Sequence, residues 1–412
     1  MTSARQDQRP VIYMDNNATT RVAPEVLEAM LPYFSDLYGN PSSMHSFGGQ
    51  VGRQVVAARR QVADLIGAQP EELIFTSCGT ESDSTAILAA LQANSEKRHI
   101  VTTRVEHPAV KNLCEHLDRL TGHKHRVTQL PVDREGMLDL EQYEAALADD
   151  TAVVSVMWAN NETGVIFPVE EMARIAKSRG ILFHTDAVQA VGKIPINLAD
   201  SVIDFLSISG HKLHAPKGIG VLYVRKGAPF APLIIGGHQE KGRRGGTENV
   251  AAIVGLGRAC ELAADRMEEE NGRVRALRDK LERGLLAQIP SSLLNGHPQK
   301  RLPNTTNISF EYVEGEAILL HLDQYGICAS SGSACTSGSL EPSHVMRAMG
   351  VPFTAAHGSV RLSLSVYNTE AEVDFVVEKL PGIIAKLREM SPFWQSSHQG
   401  AVGGASCPCS CS

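Results

Sequence analysis

The sequence predicts an α/β protein: a large domain built on a mostly parallel sheet, followed by a smaller α+β domain. Three observations predict it. Short apolar runs alternate with helical spacing through the first two-thirds of the chain. That pattern gives way near Asn249 to a long helix running towards Leu286. The length of 412 residues is more than one minimal domain uses.

Taken in order, Ala23 to Phe34 and Gln50 to Ile66 carry apolar residues at helical spacing. Leu73-Ile74-Phe75 is a first buried strand, and a helix follows over about Ser82 to Gln92. His99 to Thr103, Ala152 to Met157, Ile181 to His184, Asp204 to Ile208 and Gly220 to Val224 read as further buried strands. Pro168 to Ser178 is a helix with Pro near its start and Gly180 past its end. In the second part, Asn307 to Phe310 and Ser359 to Ser365 are expected strands, and Glu370 to Leu387 a final helix. The expected division is a large domain over 15–265 and a small one over 1–14 and 266–394. The Gly-, Ser- and Cys-rich stretch 395–412 is expected to be a disordered tail. No internal repeat is visible.

Composition narrows the function classes. Hydrophobic residues make up 43% and charged residues 21%, as in ordinary globular proteins. The net charge of −7, with Lys and Arg spread along the chain, argues against nucleic acid as a partner. No run of about 18 apolar residues argues for a membrane span, and the polar start has no signal-peptide character. A cytoplasmic location is therefore expected. The eight cysteines follow no secreted-framework spacing, which suits free thiols in a reducing compartment.

In open parallel sheets, ligands bind beyond the carboxyl ends of the strands. The residues just past the predicted strands are Gly79 and Thr80, His107, Asn160 and Asn161, Asp186 and Gln189, then Ser209, His211 and Lys212. A Gly-Thr pair opening a helix suits a phosphate, because free N–H groups and the helix dipole favour an anion there. A lysine with an acidic partner for a ring nitrogen is what pyridoxal 5′-phosphate requires. Each element alone has an ordinary reading. A lysine after a strand is usually a solvated surface residue, and an aspartate there is commonly a helix cap. Together at successive strand ends, the cofactor reading leads.

At that point several strings resemble the cysteine desulfurases, and among them the NifS-type branch of nitrogen-fixation systems. They are Asp15-Asn-Asn-Ala-Thr-Thr20, Gly39-Asn-Pro-Ser-Ser43, Val105-Glu-His-Pro108, Trp158-Ala-Asn-Asn-Glu-Thr163 and His184-Thr-Asp-Ala-Val-Gln189. Ser209-Gly-His-Lys212, Arg243-Arg-Gly-Gly-Thr-Glu-Asn249, Ser331-Gly-Ser-Ala-Cys-Thr-Ser337 and the stretch Ser339 to Met349 complete the set. The resemblance runs from about Tyr13 to Trp394.

It implies fold-type I pyridoxal-phosphate architecture, a homodimer, and L-cysteine as substrate. It implies Lys212 as the Schiff-base lysine, Asp186 as partner of the pyridinium nitrogen, and Gln189 on the ring hydroxyl. His107 would stack on the ring and shuttle protons. Gly79, Thr80, Ser209 and His211 would hold the phosphate, Asn160 would touch the cofactor, and Thr247 would reach the phosphate from the other subunit. Arg361 would bind the substrate carboxylate, a task that suits a planar bidentate cation.

The resemblance also makes Cys335 the nucleophile that takes sulfur from L-cysteine as a persulfide, releasing alanine. Its small, polar Gly/Ser surroundings predict a mobile loop. Only a thiolate is competent, so a nearby cation or proton acceptor such as His107 is expected. Cys328, after Tyr325-Gly-Ile, reads as an ordinary structural cysteine. A NifU-type iron–sulfur scaffold is the implied sulfur acceptor, and Cys335 could transiently ligate a nascent cluster shared with it. A selenocysteine lyase, an aminotransferase and a non-enzymatic sulfur carrier remain as alternatives. An aminotransferase has no use for a thiol on a mobile loop, and a carrier has none for the Lys212 constellation. The Cys407-Pro-Cys-Ser-Cys-Ser412 tail departs from the family pattern. Its spacing is not that of common zinc sites, and incidental thiols are the expectation.

Overall fold

The computed structural model describes residues 10–120, 125–331, 341–392 and 394. A two-residue strand, β1 (Ile12–Tyr13), opens the described chain. The central sheet then takes β2 (Leu73–Thr76), β3 (His99–Thr103), β4 (Arg126–Leu130), β5 (Thr151–Ser155), β6 (Leu182–Asp186), β7 (Phe205–Ser209) and β8 (Gly220–Val224). Their order is β2-β8-β7-β6-β5-β3-β4. Every pairing is parallel except the two made by β8. Six strands therefore point their carboxyl ends to one edge.

The predicted strands are buried along their full length, as both covered faces demand. One face packs Val55, Ala58 and Val62 of helix Ser46–Ile66 and Leu256 and Ala259 of helix Val250–Asp265 against Val154, Phe183 and Leu206. The other packs Ile87 and Ala90 of helix Gly79–Ala93 and Val110 and Cys114 of helix Pro108–Leu120 against Ile100, Val153 and Phe205. The start of β8 faces Thr76 and Ser209 across the ladder. A Cβ on Gly220 would lie 2.7 Å from the Cys78 backbone, so only glycine lets the β2 turn close over this edge.

A second core gathers Ile12 and Met14 with Val274, Leu281, Ile308, Phe310, Val360, Leu362, Val376 and Leu380. It lies on an antiparallel sheet of β9 (Ser292–Leu294), β10 (Thr305–Phe310) and, beyond β11 (Ile327–Cys328), β12 (Ser359–Ser363). Helices Arg275–Gln288 and Glu370–Met390 cover it. β1 pairs in parallel with β11, which ties the N-terminus to this core.

The structure departs from the sequence expectation in three places. The stretch from Ala23 to Phe34 is two helices, Pro24–Met30 and Pro32–Ser35, because Pro32 cannot donate the next helical bond. The long helix towards Leu286 is interrupted: Val250–Asp265 ends, and a π-helical stretch at Glu270–Val274 precedes Arg275–Gln288. Finally, several elements were not among those expected, β4, β9, β11 and helices Pro108–Leu120, Leu140–Ala146 and Gly315–Asp323 among them.

Candidate active site

The strand ends converge as expected on one cavity of about 350 Å³. The β2 end contributes Cys78, Gly79 and Thr80, and the β3 end His107. The β5 end contributes Met157, Ala159 and Asn161, and β6 Asp186 and Gln189. Ser209, His211 and Lys212 come from β7, and Arg361 comes from β12 of the second sheet. Asn17, Ala18, Asp83 and Val188 complete the lining.

Two expected residues are elsewhere. Asn160 does not line the cavity. Its Nδ2 donates to the Val105 carbonyl at 3.0 Å, and its Oδ1 accepts from the Glu162 and Thr163 amides at 3.0 Å each. The side chain is spent on holding the turn, and the neighbouring Asn161 reaches the cavity instead. Thr247 sits beside Glu240, Arg244 and Ser77 in a separate depression. Cys335 lies outside the described residues, as does the tail bearing Cys407, Cys409 and Cys411.

On both sides of the Cys335 segment, described residues are nevertheless anchored to residues that line or adjoin this cavity. On one side Ser330 pairs with Arg361 through both backbone bonds. On the other, Ser343 donates to Glu162 at 2.5 Å, and the His344 ring contacts the Glu106 carbonyl at 2.9 Å, next to His107. Burial pushes the Glu162 carboxyl up to about 7, so Ser343 supplies a hydrogen bond that a buried acid lacks water to replace.

Lys212 follows β7 on a single 3-10 turn, Gly210–Lys212. Its Nζ donates to the carbonyls of Asn17 and Ala18 at 2.6 and 2.7 Å. Burial first, then Lys193 and Arg361, bring its pKa down to about 7. A neutral amine is therefore at hand near physiological pH, as a nucleophilic or basic lysine requires. Asp186 closes β6, and its Oδ1 accepts from the Val188 amide at 2.9 Å. Burial and the nearby Asp83 raise its pKa, because nothing among the described residues fully compensates the charge.

His107 accepts at Nδ1 from the Ala109 amide at 3.2 Å, which leaves its proton on Nε2. Burial keeps the ring neutral, with Asp186 pulling the other way. His211 accepts or donates at Nδ1 to Thr19 at 3.0 Å, and burial beside Lys212 pushes it down to about 4. Arg361 donates to the Asn161 carbonyl at 2.9 Å and to Asp15 at 2.8 Å. Its buried Nε has no partner among the described residues. Asp15 and Asn17 are site residues that strand-end reasoning missed, since neither follows a strand of the large sheet. The Asp15-Asn-Asn string was their one visible signal.

Cys328 lies in β11 opposite Tyr13, and burial raises its thiol, in line with its structural reading. Cys114 and Cys260 are buried, with thiols also pushed up. Among the described residues no cluster of three or more His, Cys, Asp or Glu could hold a metal ion. Among them too, no helix is long and apolar enough to cross a membrane.

The family model for class-V aminotransferases matches residues 12–376. The cysteine desulfurase NifS of Azotobacter vinelandii is 62% identical over 94% of this chain and 96% of its own. A cysteine desulfurase of Trichormus azollae is 62% identical over 93% of this chain and 95% of its own. This chain belongs to the class-V aminotransferases, among the NifS-type cysteine desulfurases. A solved NifS-like protein superposes with a TM-score of 0.86 at 41% identity, covering 92% of this chain and all of that one.

Pyridoxal 5′-phosphate is the cofactor of this family, and the residues present fit it. A buried, undercompensated Asp186 carboxylate suits a pyridinium N–H. The N-terminus of the 15-residue helix Gly79–Ala93 opens into the cavity beside Ser209, as a phosphate requires. Gly79 keeps that approach clear, since a Cβ there would meet Val188 at 2.9 Å. Lys212 supplies the amine.

Proposed function

We propose that this protein removes sulfur from L-cysteine, leaving L-alanine and a persulfide on Cys335. One observation carries the reading: Lys212, Asp186 and Arg361 share one cavity, and the chain on both sides of the Cys335 segment is fastened to residues that line or adjoin it. When bound, pyridoxal phosphate supplies the electron sink for charge left at the substrate Cα. The Arg361 guanidinium takes the substrate carboxylate as a planar fork. Lys212 Nζ, its pKa brought down to about 7, accepts the Cα proton in its neutral form. The Cys335 thiolate attacks the substrate sulfur, so an S–S bond forms as the C–S bond breaks. A proton returned to the carbon side releases alanine. His107, with its proton on Nε2, is placed to move protons within the cavity.

The proposed division is a cofactor domain over 15–265 and a smaller domain over 1–14 and 266–394. The interruption between Asp265 and Arg275 and the separate second core support it. We further propose a homodimer. Leu27, Leu31, Phe34, Tyr38, Val56 and Ile235 are large apolar side chains left exposed, a surface that a second copy would cover. Thr247, which does not line its own chain's cavity, would then serve the partner's phosphate site. By the NifS likeness, a NifU-type scaffold is the proposed sulfur acceptor, nitrogenase cluster assembly the proposed destination and the cytoplasm the proposed location. Cys335 is the proposed transient cluster ligand.

The test is direct. The protein with bound cofactor is incubated with L-cysteine, and alanine and sulfide are measured. Cys335→Ala is expected to keep the cofactor's absorbance and release no sulfide. Normal turnover by that variant overturns the assignment. Truncation before Gln395 is expected to leave activity intact.

A further inference from the structure

We propose that Lys193 is a positioning residue of this centre: its buried ammonium fixes the Gln189 amide in one orientation and holds a cation behind Lys212. This rests on the reading of Gln189 as a cofactor contact. Lys193 lies four residues after Gln189, in the turns that follow β6. Its Nζ donates to the Gln189 carbonyl at 3.1 Å and to Gln189 Oε1 at 3.2 Å. On the other side of the same amide, Gln189 Nε2 donates to the Asn17 carbonyl at 2.9 Å.

An ammonium can only donate and a backbone carbonyl can only accept. The two neighbours therefore agree on which end of the amide is oxygen, and a flipped amide would face two like partners. Among the described residues the second Nε2 hydrogen has no acceptor, so Gln189 meets the cavity as a donor. Without Lys193 the amide is free to turn and present its oxygen.

Lys193 is itself held from the second core. The π-helical stretch places Glu270 in the same small cavity as Lys193, and Asn271 Nδ2 donates to the Lys193 carbonyl at 2.9 Å. Lys193, Glu270 and Lys212 line the same small cavity of about 40 Å³. Burial lowers the ammonium's pKa and raises the carboxyl's, while each counteracts the shift in the other. π-Helical turns are costly irregularities that often mark functional sites. Here the irregularity supplies the counter-charge for a cation that would otherwise be too expensive to bury. The charged groups facing Lys212 are then Lys193 and Arg361, opposed by Asp186 and Asp15, with His107 and His211 alongside. Lys193 acts on Lys212 in the direction of a free amine.

The experiment uses the full-length chain with Lys193→Met and Lys193→Gln. Competitive acetylation of the cofactor-free protein between about pH 6 and pH 10, read on the Lys212 peptide by mass spectrometry, titrates Lys212 directly. Both variants lose the cation, so both are expected to raise its apparent pKa by about half a unit or more. Cofactor affinity separates the second role. Lys193→Gln keeps a donor for Oε1 and is expected to bind cofactor within about twofold of the parent. Lys193→Met is expected to weaken it about threefold to tenfold. In a Gln189→Ala background, that loss is expected to vanish.

A Lys212 titration unmoved in both variants overturns the proposal. So does a Lys193→Met affinity loss that persists undiminished without the Gln189 side chain. If Lys193→Met does not fold, Lys193→Gln still decides the electrostatic half. Failure of the parent protein to form alanine and sulfide from L-cysteine would instead count against the desulfurase reading, and the Lys212 titration would be read independently of it.

Discussion

Lys212 owes its chemistry to its surroundings. In water its ammonium would stay protonated past pH 10. Burial and the cations Lys193 and Arg361 bring it to about 7. The sign follows: a depressed pKa means the neutral, reactive amine gains population as pH rises through 7. Cofactor incorporation into the cofactor-free protein, followed by absorbance, is therefore expected to quicken about tenfold from about pH 6 to pH 8 and then level off. A rate still climbing tenfold per unit above about pH 9 would mean an ordinary lysine. Arg361 offers a second residue-level test. Arg361→Lys keeps the charge but loses the planar fork that spans Asn161 and Asp15. KM for L-cysteine is expected to rise about tenfold or more, with the cofactor spectrum unchanged. Much of this site was legible because its residues follow strands, where ligands bind. The mismatch of Asn160 with Asn161 was not, since both follow the same strand and only their side-chain directions differ. Lys193 was invisible for a related reason: nothing in Gln189-Ala-Val-Gly-Lys193 says that the ammonium turns inward.

At the scale of elements, legibility followed burial. The strands of the sheet interior are continuous apolar runs and stand out. β4 is an edge strand, exposed to half-buried over most of its length, and Arg126-Val-Thr-Gln-Leu130 has too little apolar patterning to announce it. The π-helical stretch at Glu270–Val274 was hidden because one extra residue per turn leaves helical spacing almost unchanged over so short a run. The ends of the Cys335 segment carry the element-level prediction. Ser343 donates to buried Glu162 and, as the N-cap of the short helix His344–Ala348, accepts from the Val345 amide at 3.0 Å. Ser343→Ala removes both bonds and leaves a buried carboxyl short of a donor, at a cost of about 1–3 kcal/mol. The stem loosens while the cavity keeps its own residues. Sulfide release at saturating L-cysteine is expected to fall severalfold, with cofactor affinity and KM near the parent's. Unchanged kcat would show that the stem does not control delivery of the thiol.

Across the whole molecule, the site is a junction of two cores. The parallel sheet gives Asp186, Gln189 and Lys212, the antiparallel sheet gives Arg361, and the π-helical stretch sets Glu270 in the small cavity it shares with Lys193 and Lys212. Thr247 is an expected phosphate contact that does not line its own chain's cavity. If a second copy covers the exposed apolar face, each cavity draws its Thr247 from the partner, and two crippled chains can repair one another. A Lys212→Ala chain has no amine but an intact Thr247, and a Thr247→Ala chain has the reverse. Thr247→Ala alone is expected to weaken cofactor binding about tenfold through loss of one charge-assisted hydrogen bond, and Lys212→Ala alone to abolish turnover. In the mixed dimer the Thr247→Ala chain keeps its own Lys212 and receives Thr247 from its partner. That cavity is complete. Co-expressed with two different affinity tags and isolated as the mixed species, the pair is expected to show parent-like cofactor affinity and about half the parent's activity per dimer. Affinity no better than that of the Thr247→Ala protein would mean that Thr247 serves its own chain or none. Failure to isolate any mixed species would count against the dimer itself.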